Sequence, residues 1–197
     1  MFIELTDHLR CPADHPESFL VLLPDQLEGR SVRAGQLGCP VCGRTYALSD
    51  GALDVGGEPP PPRATVLTPE AITAFAGLNG PGGYLVLVGA PAAEWNEVAE
   101  LNRGVGLVAV NPNADVEDQG FFSVLRGGMI PLKSRSMRGV VLGAPFGGDR
   151  HWVREAARVV LPGLRVVGEG ADPPPELIDL MARTEGVWVG TAVRSKQ

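Results

Sequence analysis

Short continuous apolar runs alternate along most of the chain with stretches whose apolar residues recur at helical spacing. Residues 84–88 read Tyr-Leu-Val-Leu-Val between Gly83 and Gly89, the pattern of a strand buried on both faces. Ahead of this run, Thr68-Pro69-Glu70 offers a capping hydroxyl, a proline at the first helical position and an acid near the positive end of a helix dipole. Ile72, Phe75 and Ala76 then share one face, and Gly80-Pro81 ends that helix. After the run, residues 92–101 place Trp95, Val98 and Ala99 at helical spacing. Further strands are predicted over 106–110, 121–125, 139–142, 164–167 and 187–193. A helix over 149–160 carries Trp152, Val153, Ala156 and Val160 on one side, and a last helix is predicted over 177–183, stopped by Gly186. Strands alternating with helices predict a mainly parallel, doubly wound α/β sheet covered on both faces.

The first part of the chain lacks this alternation. It ends at Gly56-Gly57-Glu58 and the four prolines Pro59 to Pro62, a segment that can neither continue a helix nor enter the centre of a sheet. This break predicts two units, residues 1–57 and 64–197, joined by a linker over 58–63. A unit of 57 residues is close to the size at which a core alone rarely suffices, so a staple such as a metal ion is physically reasonable there.

Composition narrows the classes of function. Hydrophobic residues make up 44% and charged residues 20% of 197 residues, an ordinary globular composition. A formal net charge of −6 argues against a surface that grips nucleic acid throughout, since that binding neutralises phosphates. No apolar run reaches the length of a membrane-spanning helix, so no membrane role is expected. Glu4 and Asp7 stand where a secretory signal would be basic and then apolar, which favours a cytoplasmic protein.

All three cysteines precede the proline segment. Cys39-Pro-Val-Cys42-Gly43 has the spacing that lets a tight turn aim two thiolates at one zinc ion, and Gly43 suits the backbone of that turn. Cys11-Pro-Ala-Asp14-His15 echoes it with one cysteine missing. Zinc takes four ligands, so Cys11, Cys39 and Cys42 with His15 or Asp14 would close a structural site; imidazole is the commoner partner of thiolates and favours His15. A closed set of four leaves no place for a reactive water.

These residues also carry a family resemblance. Leu9-Arg-Cys-Pro, Leu37-Gly-Cys-Pro-Val-Cys-Gly-Arg-Thr-Tyr46 and Ser49-Asp-Gly-Ala-Leu-Asp-Val55 resemble the zinc-ribbon family of small activator subunits that bind and stabilise methyltransferases. The family usually has cysteine where Asp14 stands. The resemblance implies a zinc-ribbon-like β domain over 1–57, a protein-binding role and partnership with methyl transfer. The run Phe19-Leu-Val-Leu-Leu23 is too apolar for an open strand edge, so a protein partner, self-association or the rest of the chain is expected to cover it.

Residues 64 to about 170 are similar to class I methyltransferases that use S-adenosylmethionine. Trp152 to Val167 is similar to the family's helix, Pro-Gly turn and fifth strand, and Val140-Val-Leu-Gly143 to its fourth strand. This resemblance implies a Rossmann-like domain over 64–197. The family's cofactor contacts are not reproduced. Leu87 stands at the place of the first acid, with Pro91 and Ala93 where glycines are usual. Asn111 replaces the acid for the ribose, and Arg126-Gly127-Gly128 supplies no acid for the adenine. The expectation is therefore a non-catalytic interaction or regulatory protein, a pseudoenzyme to which S-adenosylmethionine does not bind usefully, with an atypical methyltransferase as the alternative. A glycine-lined cavity beside Gly89 and Asn111 would favour the alternative.

Other signals are weaker. Arg126, Lys133, Arg135 and Arg138 lie in an acid-free stretch that would suit an anion or RNA contact. Asp149 reads as a helix cap, and His151 alone says little about acid-base chemistry.

Overall fold

A computed structural model describes residues 1–113, 116, 117 and 119–193, and in it eleven strands form one sheet. They are β1 (Val21–Glu28), β2 (Ser31–Gly38), β3 (Thr45–Ser49), β4 (Ala52–Asp54), β5 (Tyr84–Val88), β6 (Gly106–Val110), β7 (Phe122–Arg126), β8 (Gly139–Leu142), β9 (Arg165–Glu169), β10 (Ile178–Thr184) and β11 (Val187–Ala192). Their order across the sheet is β1-β2-β3-β4-β7-β6-β5-β8-β9-β11-β10. The six strands from β4 to β9 in that order run parallel, an antiparallel meander leads into them, and an antiparallel pair closes the far side. The result is a mixed α/β sheet with a parallel centre.

The helices follow their sequence signals. In α1 (Pro69–Ala76) the Thr68 hydroxyl accepts the Ala71 N–H, and Gly77 ends the helix with φ 60°. Helix α2 (Trp95–Leu101) packs beside it, and Ile72, Ala76 and Val98 form a core with Leu85, Leu87, Leu107 and Val124 on one face of the sheet. In α3 (Arg150–Val159) the Asp149 carboxylate caps the N–H groups of His151 and Trp152, as expected of that aspartate. It covers the opposite face with Trp152, Val153 and Ala156.

That second face is wider than one short helix can cover, and the chain carries no helix between β7 and β8. The beginning of the chain fills the gap. Met1, Leu5, Leu9 and Leu20 share one core with Val86, Val108, Leu125 and Val140, and all eight are buried. The N-terminal ammonium donates to the Val32 carbonyl at 2.9 Å, and the Phe2 N–H donates to the fully buried Ser123 hydroxyl on β7 at 2.9 Å. The sheet and this core run through both halves of the chain. The proline-rich segment between them forms no helix or strand.

A cluster of polar side chains around the buried Glu155 fixes the same contact. The Arg158 guanidinium holds Glu155 through bonds of 3.0 and 2.7 Å and donates to the carbonyls of Leu132 at 2.7 Å and Ile130 at 2.8 Å. From the N-terminal segment, Glu17 accepts the Ser134 N–H at 3.1 Å and its hydroxyl at 2.6 Å, and Arg10 lies 3.6 Å from Glu17. Burial alone would raise the Glu17 carboxyl, but the Ser134 donors and the two arginines hold it below the usual carboxylate range.

One predicted element differs in kind. Residues 177–183 were expected to be helical, yet Ile178–Thr184 is the edge strand β10, paired antiparallel with β11 from Ile178↔Ala192 to Thr184↔Val187. The apolar positions there fit either period, and Glu185-Gly186 with Gly186 at φ 71° is a two-residue hairpin turn instead of a helix stop. The rest of the chain covers the run Phe19 to Leu23 only in part. Leu20 is buried and Leu22 half-buried, but Phe19 and Leu23 remain 53% and 61% exposed on the sheet's outer edge. Pro24 and a bulge beside it interrupt that edge.

Because one core serves both halves, Leu9→Ala is expected to lower the stability of the whole chain by about 2–5 kcal/mol, and chain cut within the proline segment is expected to elute as one particle. Thermal melting followed separately at Trp152 and at the N-terminal segment checks this. Two transitions, or separated fragments on sizing, would contradict the shared core.

Candidate metal centre and cofactor cleft

The Cys39 turn is built by its own backbone. The Cys39 N–H donates to the Arg44 carbonyl at 2.9 Å, the Gly43 N–H returns to the Cys39 carbonyl at 2.9 Å, and Gly43 adopts φ 69°. Across from it, the Cys11 N–H donates to the Ser18 carbonyl at 2.9 Å and closes a loop that carries His15. The thiols of Cys11, Cys39 and Cys42 and one ring nitrogen of His15 all lie within 4.8 Å of one another. Asp14, the other candidate, is exposed and does not join the group.

The spacings fit zinc. A tetrahedron with Zn–S bonds of about 2.3 Å has S···S edges of about 3.8 Å, and a Zn–N bond of about 2.05 Å gives N···S edges of about 3.6 Å. Cys11 Sγ and Cys42 Sγ stand 3.8 Å apart, and His15 Nε2 is 3.4 Å from Cys39 Sγ. His15 Nδ1 meets the Pro16 carbonyl at 2.7 Å; that oxygen only accepts, so Nδ1 carries the proton and Nε2 keeps its lone pair toward the thiols. The Tyr46 hydroxyl lies 3.3 Å from Cys11 Sγ as an outer partner.

Electrostatics points the same way. Burial pushes the Cys39 thiol up, but N–H groups of Cys42 and Val41 and the two neighbouring thiols bring it down to about 6. Burial raises the Cys11 thiol, and the Tyr46 phenol is raised by burial and by that thiol. One side of the cluster is thus prepared as a thiolate, while a cation would be needed to ionise Cys11 readily.

The second candidate site lies at the C-terminal ends of β5, β6 and β7, the crevice where ligands of open α/β sheets bind. Gly89 follows β5 with φ 74°, but the space above it is filled. A Cβ built there would stand 2.7 Å from the ring of Phe146 and 3.6 Å from Pro62. Phe146 is fully buried. Leu87 lies in the core beneath α1 and α2, away from the cleft. Asn111 ends β6 with φ 49°, and its amide group donates to the Gly127 carbonyl at 2.8 Å while accepting the Gly127 N–H at 2.9 Å. Both of its polar atoms are engaged by backbone.

A smaller cavity of about 270 Å³ remains beside Asn111, walled by Pro59 to Pro62 and reached by Asp54 and Arg126. The proline segment is pinned across the cleft. The buried Glu169 carboxylate accepts from the Thr65 hydroxyl at 2.8 Å, the Val66 N–H at 2.7 Å and the Ala144 N–H at 2.9 Å, and the Arg63 N–H donates to the Ala144 carbonyl at 2.8 Å.

The four basic residues of the acid-free stretch have different neighbours. Arg138 donates to the carbonyls of Asn79, Gly80, Pro81 and Gly82, and Lys133 to that of Asp7. Arg126 borders the small cavity, and Arg135 a separate groove. They do not form one patch. His151 bonds to the Gly128 carbonyl at 2.9 Å.

No family model and no curated protein matches the chain. Among solved structures it is similar to the complex between the Haloferax volcanii Trm112 methyltransferase activator and the putative methyltransferase, with 21% identity over 51% of this chain and 50% of that one and a TM-score of 0.41. It is also similar to CrArsM, an arsenic(III) S-adenosylmethionine methyltransferase from Chlamydomonas reinhardtii, with 13% identity over 45% and 38% and a TM-score of 0.34. A putative S-adenosyl-L-methionine-dependent methyltransferase from Methanococcus maripaludis shares 14% identity over 65% and 84%, with a TM-score of 0.47. The chain thus spans half or less of the first two. No helix among the described residues is long and apolar enough to cross a membrane.

The protein is expected to purify with about one zinc per chain, since ligand binding at such a site is coupled to folding. His15→Ala should release the metal and Asp14→Ala should retain it. Elemental analysis of the two variants decides the ligand, and the reverse pattern would remove His15 from the set.

Proposed function

We propose that the chain is a non-catalytic interaction or regulatory protein, a zinc ribbon joined to a methyltransferase-like scaffold that holds no cofactor. The zinc is structural, held by Cys11, His15, Cys39 and Cys42. The observation that carries this reading is the occupied cleft: Phe146 and Pro62 stand over Gly89, and Gly127 consumes the amide of Asn111. A cofactor entering there would have to displace a buried ring and break two bonds to backbone, with no carboxylate at Leu87, Asn111 or Gly128 to repay them.

The magnitude supports the direction. Charge-assisted bonds contribute roughly 1.5–3 kcal/mol each, and loss of two at the lower figure weakens binding by about a hundredfold. The outer edge strand β1, with Leu23 exposed on it and Phe19 exposed just before it, supports a protein partner or self-association. The cavity beside Asn111 and Arg126 is the one observation that favours an atypical methyltransferase instead, because it lies at the sheet's switch point.

Titration calorimetry with S-adenosylmethionine separates the two. No binding is expected at micromolar cofactor. A dissociation constant at or below about a micromolar, lost in Asn111→Ala, would establish the methyltransferase reading.

A further inference from the structure

A second cavity shares no lining residue with the one beside Asn111, and neither reading above uses it. It is a half-open groove of about 850 Å³ between α3, the 134–135 turn and the β10–β11 end of the sheet. Its floor is apolar, from Ala157, Val160, Leu177 and Ala192. Four charged groups line it. Arg158 is neutralised by Glu155, and Glu176 pairs with Arg150 at 2.6 Å. Arg135 and Arg154 are exposed and have no side-chain partner among the described residues. The groove therefore carries two uncompensated guanidinium groups above an apolar floor.

Arg135 is also placed at a cost. It adopts φ 54°, a conformation uncommon outside glycine, asparagine and aspartate. The turn is held on every side: the Arg135 N–H donates to the Arg158 carbonyl at 2.8 Å, the Ser136 N–H to Val159 at 2.9 Å, and Ser134 is bonded to Glu17. Glycine would serve the backbone better, so the strained arginine points to a task for its side chain.

We infer that this groove binds an acidic, amphipathic segment of a partner protein, whose carboxylates meet Arg135 and Arg154 while its apolar side chains cover Ala157, Val160 and Leu177. Charge complementarity selects the occupant. Arg194 and Lys196, which follow Val193 in the sequence, have the wrong sign for a cationic groove. Nucleic acid is disfavoured because no aromatic ring lines the groove to stack a base. The inference stands independently of the cofactor cleft, and a working methyltransferase would leave it unaltered.

The test is fluorescence anisotropy on the full chain with three labelled probes: a peptide with Glu and Leu in helical register, the same peptide with Lys for Glu, and oligouridylate. The acidic peptide is expected to bind, to weaken as salt rises, and to lose roughly fivefold in affinity with either Arg154→Ala or Arg135→Gly. Arg135→Gly should at the same time keep or raise the melting temperature, since glycine relieves the strained turn. A stable Arg135→Gly with unchanged affinity, equal binding of both peptides, or no binding would each overturn the inference. So would tighter binding of oligouridylate, or a dimer that these substitutions dissociate, which would assign the groove to RNA or to a second copy.

Discussion

The parallel pairing of Ala52–Asp54 with β7 sets the rest of the structure. It is short, with Ala52 opposite Val124, Leu53 opposite Leu125 and Asp54 opposite Arg126, yet it joins the N-terminal meander to the parallel sheet and covers what would otherwise be a bare edge. Direction matters as much as contact. A strand parallel to β7 delivers the chain to the C-terminal ends of the strands, and the return to α1 must then cross the crevice in which such sheets bind ligands. The Val55 N–H continues the ladder to the Arg126 carbonyl, Gly57 passes so close to Gly128 that a Cβ would meet its backbone at 2.7 Å, and the prolines follow over Asn111. The filled cleft is in this sense a consequence of topology. An antiparallel β4 would have left the chain at the opposite end of the sheet.

Much of this was legible in the sequence, and the rest was hidden for physical reasons. The strands of the parallel centre announce themselves because burial on both faces demands unbroken apolar runs, as at 84–88 and 139–142. The helices α1 and α3 announce their starts through Thr68-Pro69 and Asp149. The Cys-Pro-Val-Cys turn and its echo pointed to the cysteines that lie together, while the sequence left Asp14 and His15 open; His15 lies in that group, and Asp14 is exposed outside it. The β10 strand was misread because an edge strand needs apolar residues on neither face consistently, and Leu177, Ile178, Leu180, Met181 and Ala182 satisfy both periods. The proline segment showed where regular structure stops. It gave no sign that the core continues, because Met1, Leu5 and Leu9 meet Val108 and Leu125 only through long-range packing.

Leu87, which stands at the place of an acid in the resembled family, does not reach the cleft: alternation along β5 turns it toward α1 and α2 while Val86 and Val88 face the other core. The intruding groups come from elements whose sequence says nothing about the cleft: Phe146 from the turn after β8, and Pro62 from the linker. Glu169 belongs to the same class. An acid at the end of an apolar strand reads as a surface residue, yet it is buried and gathers three donors from Thr65, Val66 and Ala144. Removing one side of such an arrangement leaves a buried charge without partners, which is why the proline segment is held in place more firmly than its lack of secondary structure suggests.

The metal cluster and the scaffold are linked through the segment between Leu9 and Leu20. Cys11 lies two residues from Leu9, whose side chain sits in the shared core, and the Arg10 N–H between them donates to the Pro131 carbonyl. Glu17, two residues beyond His15, bonds Ser134 next to the Arg158 cluster. The loop from Cys11 to His15 thus lies between two contacts that hold the segment standing in for the missing helix on that face of the sheet. The first part of the chain thus contributes to the parallel sheet in two ways, through the pairing of β4 with β7 and through this segment, which packs on the face that α3 alone does not cover.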